Sequence, residues 1–223
     1  PSLFAEPDLA SDRYTPEIGS SAPREPPVNK TSCTTARQYL DGLASLLGRL
    51  DAAAIDRLTE MVHQRWEVDK QVLVIGNGGS ASTASHYVTD LVKTASVPGT
   101  RRLRSLSLSD NPGLTTAIGN DIAYEDTFLF PLEAYGRDGD LLIAISGSGN
   151  SPNIVKAVRF AKEHGIEVAA LTGFDGGAIG RMADLHVNVP SDNYGLVEDL
   201  HLSIGHMIGQ GLRARIARSH VRA

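Results

Sequence analysis

Apolar and polar positions change period once along the chain, and the change divides it into two kinds of element. Between Thr35 and Trp66, Tyr39, Leu40, Leu43, Leu46, Leu47 and Leu50 recur at helical spacing, and Asp51 reads as the cap of a second helix holding Ile55, Leu58 and Val62. From Gln71 onward short apolar runs take over, at Val72-Leu73-Val74-Ile75, Leu103 to Leu108, Leu141 to Ile145, Val168 to Leu171 and Leu185 to Val189. Runs with little alternation are expected of parallel strands covered on both faces. Helix-like segments separate them, predicted at Ala81–Lys93, Asn111–Gly119, Glu125–Gly136, Ile154–His164 and Gly177–Ala183, with a last long one from Leu196 to Ala217. Alternating strands and helices predict an α/β fold, a mostly parallel sheet with helices on both faces, preceded by two amphipathic helices. Residues 1–34 carry Pro7, Pro16, Pro23, Pro26 and Pro27 among polar residues and are expected to form a flexible arm, leaving 35–223 as one domain.

Composition narrows the function classes. A chain of 223 residues with 41% hydrophobic and 21% charged residues suits one globular domain. The formal charge of −5, with both signs mixed along the chain, argues against a nucleic-acid partner, and the Arg-rich stretch after Leu212 reads as a solvated helix end. The single Cys33 allows no intrachain disulfide, so a cytoplasmic location is expected. No apolar stretch reaches the ~18–20 residues that span a bilayer, and the amino-terminal residues lack the order of a signal peptide, so no membrane partner is expected.

The candidate chemistry begins with two loops. Gly76-Asn77-Gly78-Gly79-Ser80 and Ser146-Gly147-Ser148-Gly149-Asn150-Ser151 each follow a strand-like run and precede a helix-like one. Backbone N–H groups at a helix start attract a phosphate, and serine hydroxyls add donors without adding charge. Ligands of such sheets bind beyond the carboxyl ends of the strands, where both loops fall. A phosphorylated small molecule is the expected ligand. Gly76 to Ala81 also satisfies the dinucleotide pattern G-x-G-x-x-A, but the acid that pattern requires ~20 residues on has no counterpart, since Asp110 lies too far along and the second loop would be idle. On the segment after the first loop His86 and Asp90 lie four apart and share a helix face.

These motifs, with Gly119-Asn120-Asp121, Leu171-Thr172-Gly173, Asp175-Gly176-Gly177, Glu198-Asp199-Leu200-His201 and His206, resemble the SIS (sugar isomerase) family, and within it the sedoheptulose-7-phosphate isomerases. The resemblance runs from about Lys70 to Leu212. It implies a three-layer fold on a five-stranded parallel sheet, a homotetramer with active sites at subunit interfaces, and aldose–ketose isomerisation of a phosphorylated sugar through an enediol. It implies sugar contacts from Asn77, Gly78, Gly79, Ser80, Asn120, Asp121 and Glu198, and a phosphate grip from Ser146, Gly147, Ser148 and Ser151. It further implies zinc on His86, Asp90, Glu198 and His206, with proton transfer by Asp90 and His206. The chain departs from the family pattern at Gly147, usually threonine, at Asp90, usually glutamate, and at Glu198, usually glutamine. In a straight helix Glu198 and His206 are separated by ~12 Å of rise, which strains a shared ion. Some relatives bind sugar phosphates or proteins without catalysis, but an ionisable residue stands at all four metal positions here, which favours an enzyme. His201 reads as a core or interface histidine, and His63, His164 and His186 as surface or strand-end residues without chemical partners.

Overall fold

A computed structural model of the chain describes residues 32–222. The amino-terminal arm expected over 1–34 lies outside the described residues except for 32–34. The chain opens with α1 (Ala36–Leu47), capped by Thr35 through the Gln38 N–H, and α2 (Ala52–Glu67), capped by Asp51 through the Ala54 N–H. Strands β1 (Gln71–Gly76), β2 (Arg104–Ser107), β3 (Leu141–Ser146), β4 (Glu167–Thr172) and β5 (Leu185–Asn188) follow, separated by α3 (Gly79–Thr89), α4 (Pro112–Asp121), α5 (Leu129–Tyr135), α6 (Pro152–Glu163) and α7 (Gly177–Met182). The last helix, α8, spans Tyr194–Arg222.

Among the described residues the sheet has five strands in the order β2-β1-β3-β4-β5, every pair parallel. Successive side chains on a strand point to opposite faces, so each central strand feeds two cores. Val72, Val74, Ile143, Ile145, Ala169 and Leu171 pack with Ile55, Leu58, Val62, Tyr87, Leu200, Ile204 and Ile208 on the face covered by α2, α3 and α8. Leu73, Ile75, Leu142, Ala144, Val168 and Ala170 meet Phe128, Leu132, Ile154, Ala157, Val158 and Ile179 on the other. The three-layer arrangement follows. Strand order reverses at β1 and β3, so the crevice of the sheet opens between their carboxyl ends, at Gly76 and Ser146.

Three expectations need correction. The helix expected over Glu125–Gly136 is a 3-10 turn, Tyr124–Asp126, followed by α5, because Pro131 fits only in the first turn of a helix. The helix expected to reach Lys93 changes into a π-helical turn at Asp90–Thr94. His63 is buried at 7% exposure, stacked on Trp66 between Glu60 and Glu67, and the other two histidines also have partners: His164 bonds the Phe160 carbonyl and His186 the Thr172 hydroxyl.

Candidate functional site

The loop after β1 and the loop after β3 line one cavity of about 150 Å³, formed by Asn77, Ser80, Ile145, Ser146, Gly147, Ser148, Ser151, Tyr194 and Glu198. Two helices begin at it. The residues before α3 and α6, Gly78 and Ser151, make no side-chain cap bond among the described residues, although Asn153 Oδ1 accepts the Ile154 N–H in the first turn of α6 and the Asn77 carbonyl accepts the Ser80 N–H in that of α3. A second hollow of about 130 Å³, lined by Gly76, Gly78, Ser109, Thr115, Tyr124 and Thr127 among others, shares Asn77 with the first. Asn77 is held from behind: it exchanges hydrogen bonds with Asn153 at 2.9 and 3.0 Å and receives the Tyr124 hydroxyl at 3.0 Å. Neither Asn153 nor Tyr124 stands out in the sequence, and no local signal marks them.

The ionisable cluster lies on α3, the π-helical turn that continues it, and α8. His86 and Asp90 come from successive turns, and His206 reaches them from α8, with its Nδ1 2.9 Å from Asp90 Oδ2 and His86 Nε2 3.5 Å from the same oxygen. The two imidazoles meet edge to face, with centroids 4.9 Å apart. Asp90 Oδ1 accepts the Thr94 hydroxyl at 2.9 Å, a bond across the π-helical turn that fixes the carboxylate and turns Oδ2 toward the histidines. Asp90 is 7% exposed, whereas His86 and His206 both open to solvent.

The cluster exists because two helices approach closely. A Cβ at Gly205 would lie 2.2 Å from the Tyr87 ring, so only glycine lets α8 come this near α3. Tyr87, buried between the helices, donates its hydroxyl to the His201 carbonyl at 2.7 Å. His201 in turn bonds the Thr172 carbonyl through Nε2 at 3.1 Å and is fully buried, as a core histidine. Burial pulls its imidazole down to about 4, against the raising pull of the Thr172 carbonyl.

The expected site residues therefore fall into four places. Asn77, Ser80, Ser146, Gly147, Ser148, Ser151 and Glu198 line the first cavity, and Gly78 lines the second, with Gly79 beside it opening α3. His86, Asp90 and His206 form the group whose ligand atoms all lie within 4.8 Å of one another, and Glu198 is not in that group. Its carboxylate instead faces Gly79, where a Cβ would come within 2.5 Å of Oε2. Burial, joined by the neighbouring charge of Asp199, raises the Glu198 carboxyl above its ordinary value. Asn120 and Asp121 are exposed at the end of α4, hydrogen-bonded to each other at 2.7 Å, and line neither cavity.

Two imidazoles and a carboxylate oxygen are a donor set suited to zinc. Their donor atoms lie within 4.8 Å of one another, and the 3.5 Å from His86 to Asp90 is of the size that tetrahedral bonds of about 2.0–2.2 Å produce, while the 2.9 Å from His206 to Asp90 is a hydrogen-bond distance that a metal would widen, so the residues fit a metal. They equally form a metal-free acid/base pair, in which an imidazole N–H donates to Asp90.

Residues 38–173 match the SIS domain family. The chain is 40% identical over 159 residues to a phosphoheptose isomerase of Sulfurimonas denitrificans, a match covering 69% of this chain and 78% of that one. Among solved structures it superposes on a phosphoheptose isomerase of Neisseria gonorrhoeae with a TM-score of 0.73 and 30% identity, covering 79% of this chain and 96% of the other. A phosphoheptose isomerase of Francisella tularensis gives a TM-score of 0.75 at 29% identity, covering 80% and 96%.

Proposed function

The chain belongs to the SIS domain family, among the phosphoheptose isomerases, and on that footing we infer that it is a phosphosugar isomerase converting sedoheptulose 7-phosphate into an aldoheptose 7-phosphate. The observation that carries the reading is the meeting of Asp90 Oδ2 and His206 Nδ1 at 2.9 Å in a chain whose β1 and β3 loops form an anion cradle.

The cradle holds the phosphate on two helix starts and the hydroxyls of Ser146, Ser148 and Ser151, with Asn77 and the Gly78-Gly79 backbone on the sugar. Asp90 Oδ2 takes a proton from C1 of the ketose while the C2 carbonyl oxygen is protonated, giving the enediol. His206 moves the proton between the two oxygens, giving one at O2 and removing one at O1. Return of the carbon-bound proton at C2 leaves the aldehyde at C1. The Thr94 bond keeps Asp90 Oδ2 on the reacting side throughout. A divalent cation, zinc by its preference for this donor set, would be held by His86, Asp90 and His206 and would polarise the substrate carbonyl when bound.

We extend the reading to quaternary structure and location. His86 and His206 are open to solvent, and Leu40, Leu47 and Met207 are exposed apolar side chains on α1 and α8, which supports a homotetramer whose subunits complete one another's sites. The free thiol of Cys33 suits a cytoplasmic enzyme, and no helix among the described residues is long and apolar enough to cross a membrane. A non-catalytic sugar-phosphate binder would have no use for the Asp90–His206 contact.

The test is incubation with sedoheptulose 7-phosphate, with and without a chelator, followed by detection of the aldose product. Turnover that the chelator removes is the expected result. Binding of the sugar phosphate without turnover would overturn the enzymatic assignment.

A further inference from the structure

Gly147 stands in the middle of the second serine loop, and the space a side chain would take there is filled by another residue. A Cβ at Gly147 would lie 2.8 Å from Cε1 and 3.0 Å from Cδ1 of Tyr194. Tyr194 is the first residue of α8, half-buried, and its ring is backed on another side by Phe174, with centroids 4.9 Å apart and planes tilted by 57°. The ring is thus wedged between Phe174 and the loop. It lines the same cavity as Ser146, Ser148 and Ser151.

We propose that Tyr194 is a phosphate-binding residue of this cradle, its phenol hydroxyl supplying the donor that a hydroxylated side chain at position 147 would otherwise give, and that Gly147 is required because the ring lies against it. The proposal rests on the reading of the cradle as the seat of the substrate phosphate. The chemistry favours a donor: burial, with the nearby charge of Glu198, raises the phenol above its ordinary value against the lowering influence of the Ser148 side chain, so the proton stays on. A phenol proton pointed at a dianion makes a charge-assisted hydrogen bond, about twice as strong as a neutral one. Tyr194 also joins the two halves of the site, because it begins the helix that carries Glu198 and His206. Phosphate seated on its hydroxyl would touch the start of the helix that brings the proton-transfer imidazole to the sugar.

Tyr194→Phe keeps the ring and removes the donor. It is expected to weaken binding of inorganic phosphate, measured by calorimetry, by about tenfold and to raise KM for sedoheptulose 7-phosphate by a similar factor, with kcat falling no more than about threefold. A melting temperature within a few degrees of the parent would show that packing is kept. Gly147→Ser should push the ring aside and weaken phosphate at least as much, and combining it with Tyr194→Ala should recover part of the loss, a non-additivity expected only if the two residues share one space. Phosphate binding by Tyr194→Phe within about twofold of the parent would overturn the proposal. A parent protein that binds no phosphate would overturn it together with the reading of the cradle. A parent that binds phosphate, weakened by Tyr194→Phe, yet never turns over the heptose would overturn the isomerase assignment and support the role of Tyr194.

Discussion

The proposed anion cradle draws on two loops that leave neighbouring strands, whereas His86, Asp90 and His206 meet only because α3 and α8 cross at Gly205. The first region owes its geometry to the sheet. Once β1 and β3 pair, Asn77, Ser80, Ser146, Ser148 and Ser151 sit beside one another with little further choice. The second depends on a helix contact between residues 116 apart in sequence and on a ring, Tyr87, that tolerates no methyl opposite it. Binding and proton transfer are therefore expected to be separable by mutation.

The strongest way to break that separation is Asp90→Asn, which keeps the shape and the Thr94 contact but removes the proposed base. Turnover is expected to fall by about a thousandfold or more, near 4 kcal/mol of barrier, while calorimetric affinity for phosphate changes by less than about twofold. A matching collapse of phosphate binding would show that the two regions are one electrostatic unit.

The same contrast explains what could be read in advance. The strands, the Asp51 cap and both serine loops were legible because each is decided by residues close in sequence: apolar runs, a capping side chain, a glycine turn after a strand. His86 and Asp90 were legible as a pair for the same reason, one turn of helix apart. Glu198 was legible at the cradle, where the resemblance sets it among the sugar contacts, but its second expected place, beside His206, is not where the side chain lies. Eight residues separate it from His206, about 12 Å along α8, and the helix stays straight enough to leave one residue at the cradle and the other at the cluster. Asn153, Tyr124 and Tyr194 escaped notice because their partners lie across the fold, at Asn77 and Gly147, and nothing local distinguishes an asparagine or tyrosine that meets a loop.

The helix seam that joins the regions has its own sensitivity, to acid. His201 is fully buried, and among the described residues its Nδ1 has no hydrogen-bond partner, so a second proton would place an uncompensated charge in the core. With the folded imidazole at about 4 and the unfolded one at its ordinary 6.5, the unfolded chain binds more protons between those values. Stability is then complete above about pH 6.5 and declines toward pH 4, by about 3 kcal/mol in all. His186, also lowered by burial, acts in the same direction. Denaturant melts of the parent and of His201→Gln across this window check the assignment. The glutamine amide can still donate to Thr172, and the variant should lose most of the slope. An unchanged slope would place the acid sensitivity elsewhere than the seam.

The smallest expected effect sharpens the comparison most, because Glu198 is the residue that either region could claim. Its carboxylate stands at the cradle, against Gly79 at the start of α3, and a negative charge there opposes the incoming phosphate. Glu198→Gln keeps the length and removes the charge, so KM should fall by about threefold, less than 1 kcal/mol, since water screens a half-exposed group. Metal content and kcat should hold, because the donor atoms of His86, Asp90 and His206 cluster without it. If instead the variant loses metal and its turnover drops by about tenfold or more, α8 must bend during the reaction to carry Glu198 toward His206. The boundary between the cradle and the cluster would then be a feature of the resting enzyme alone.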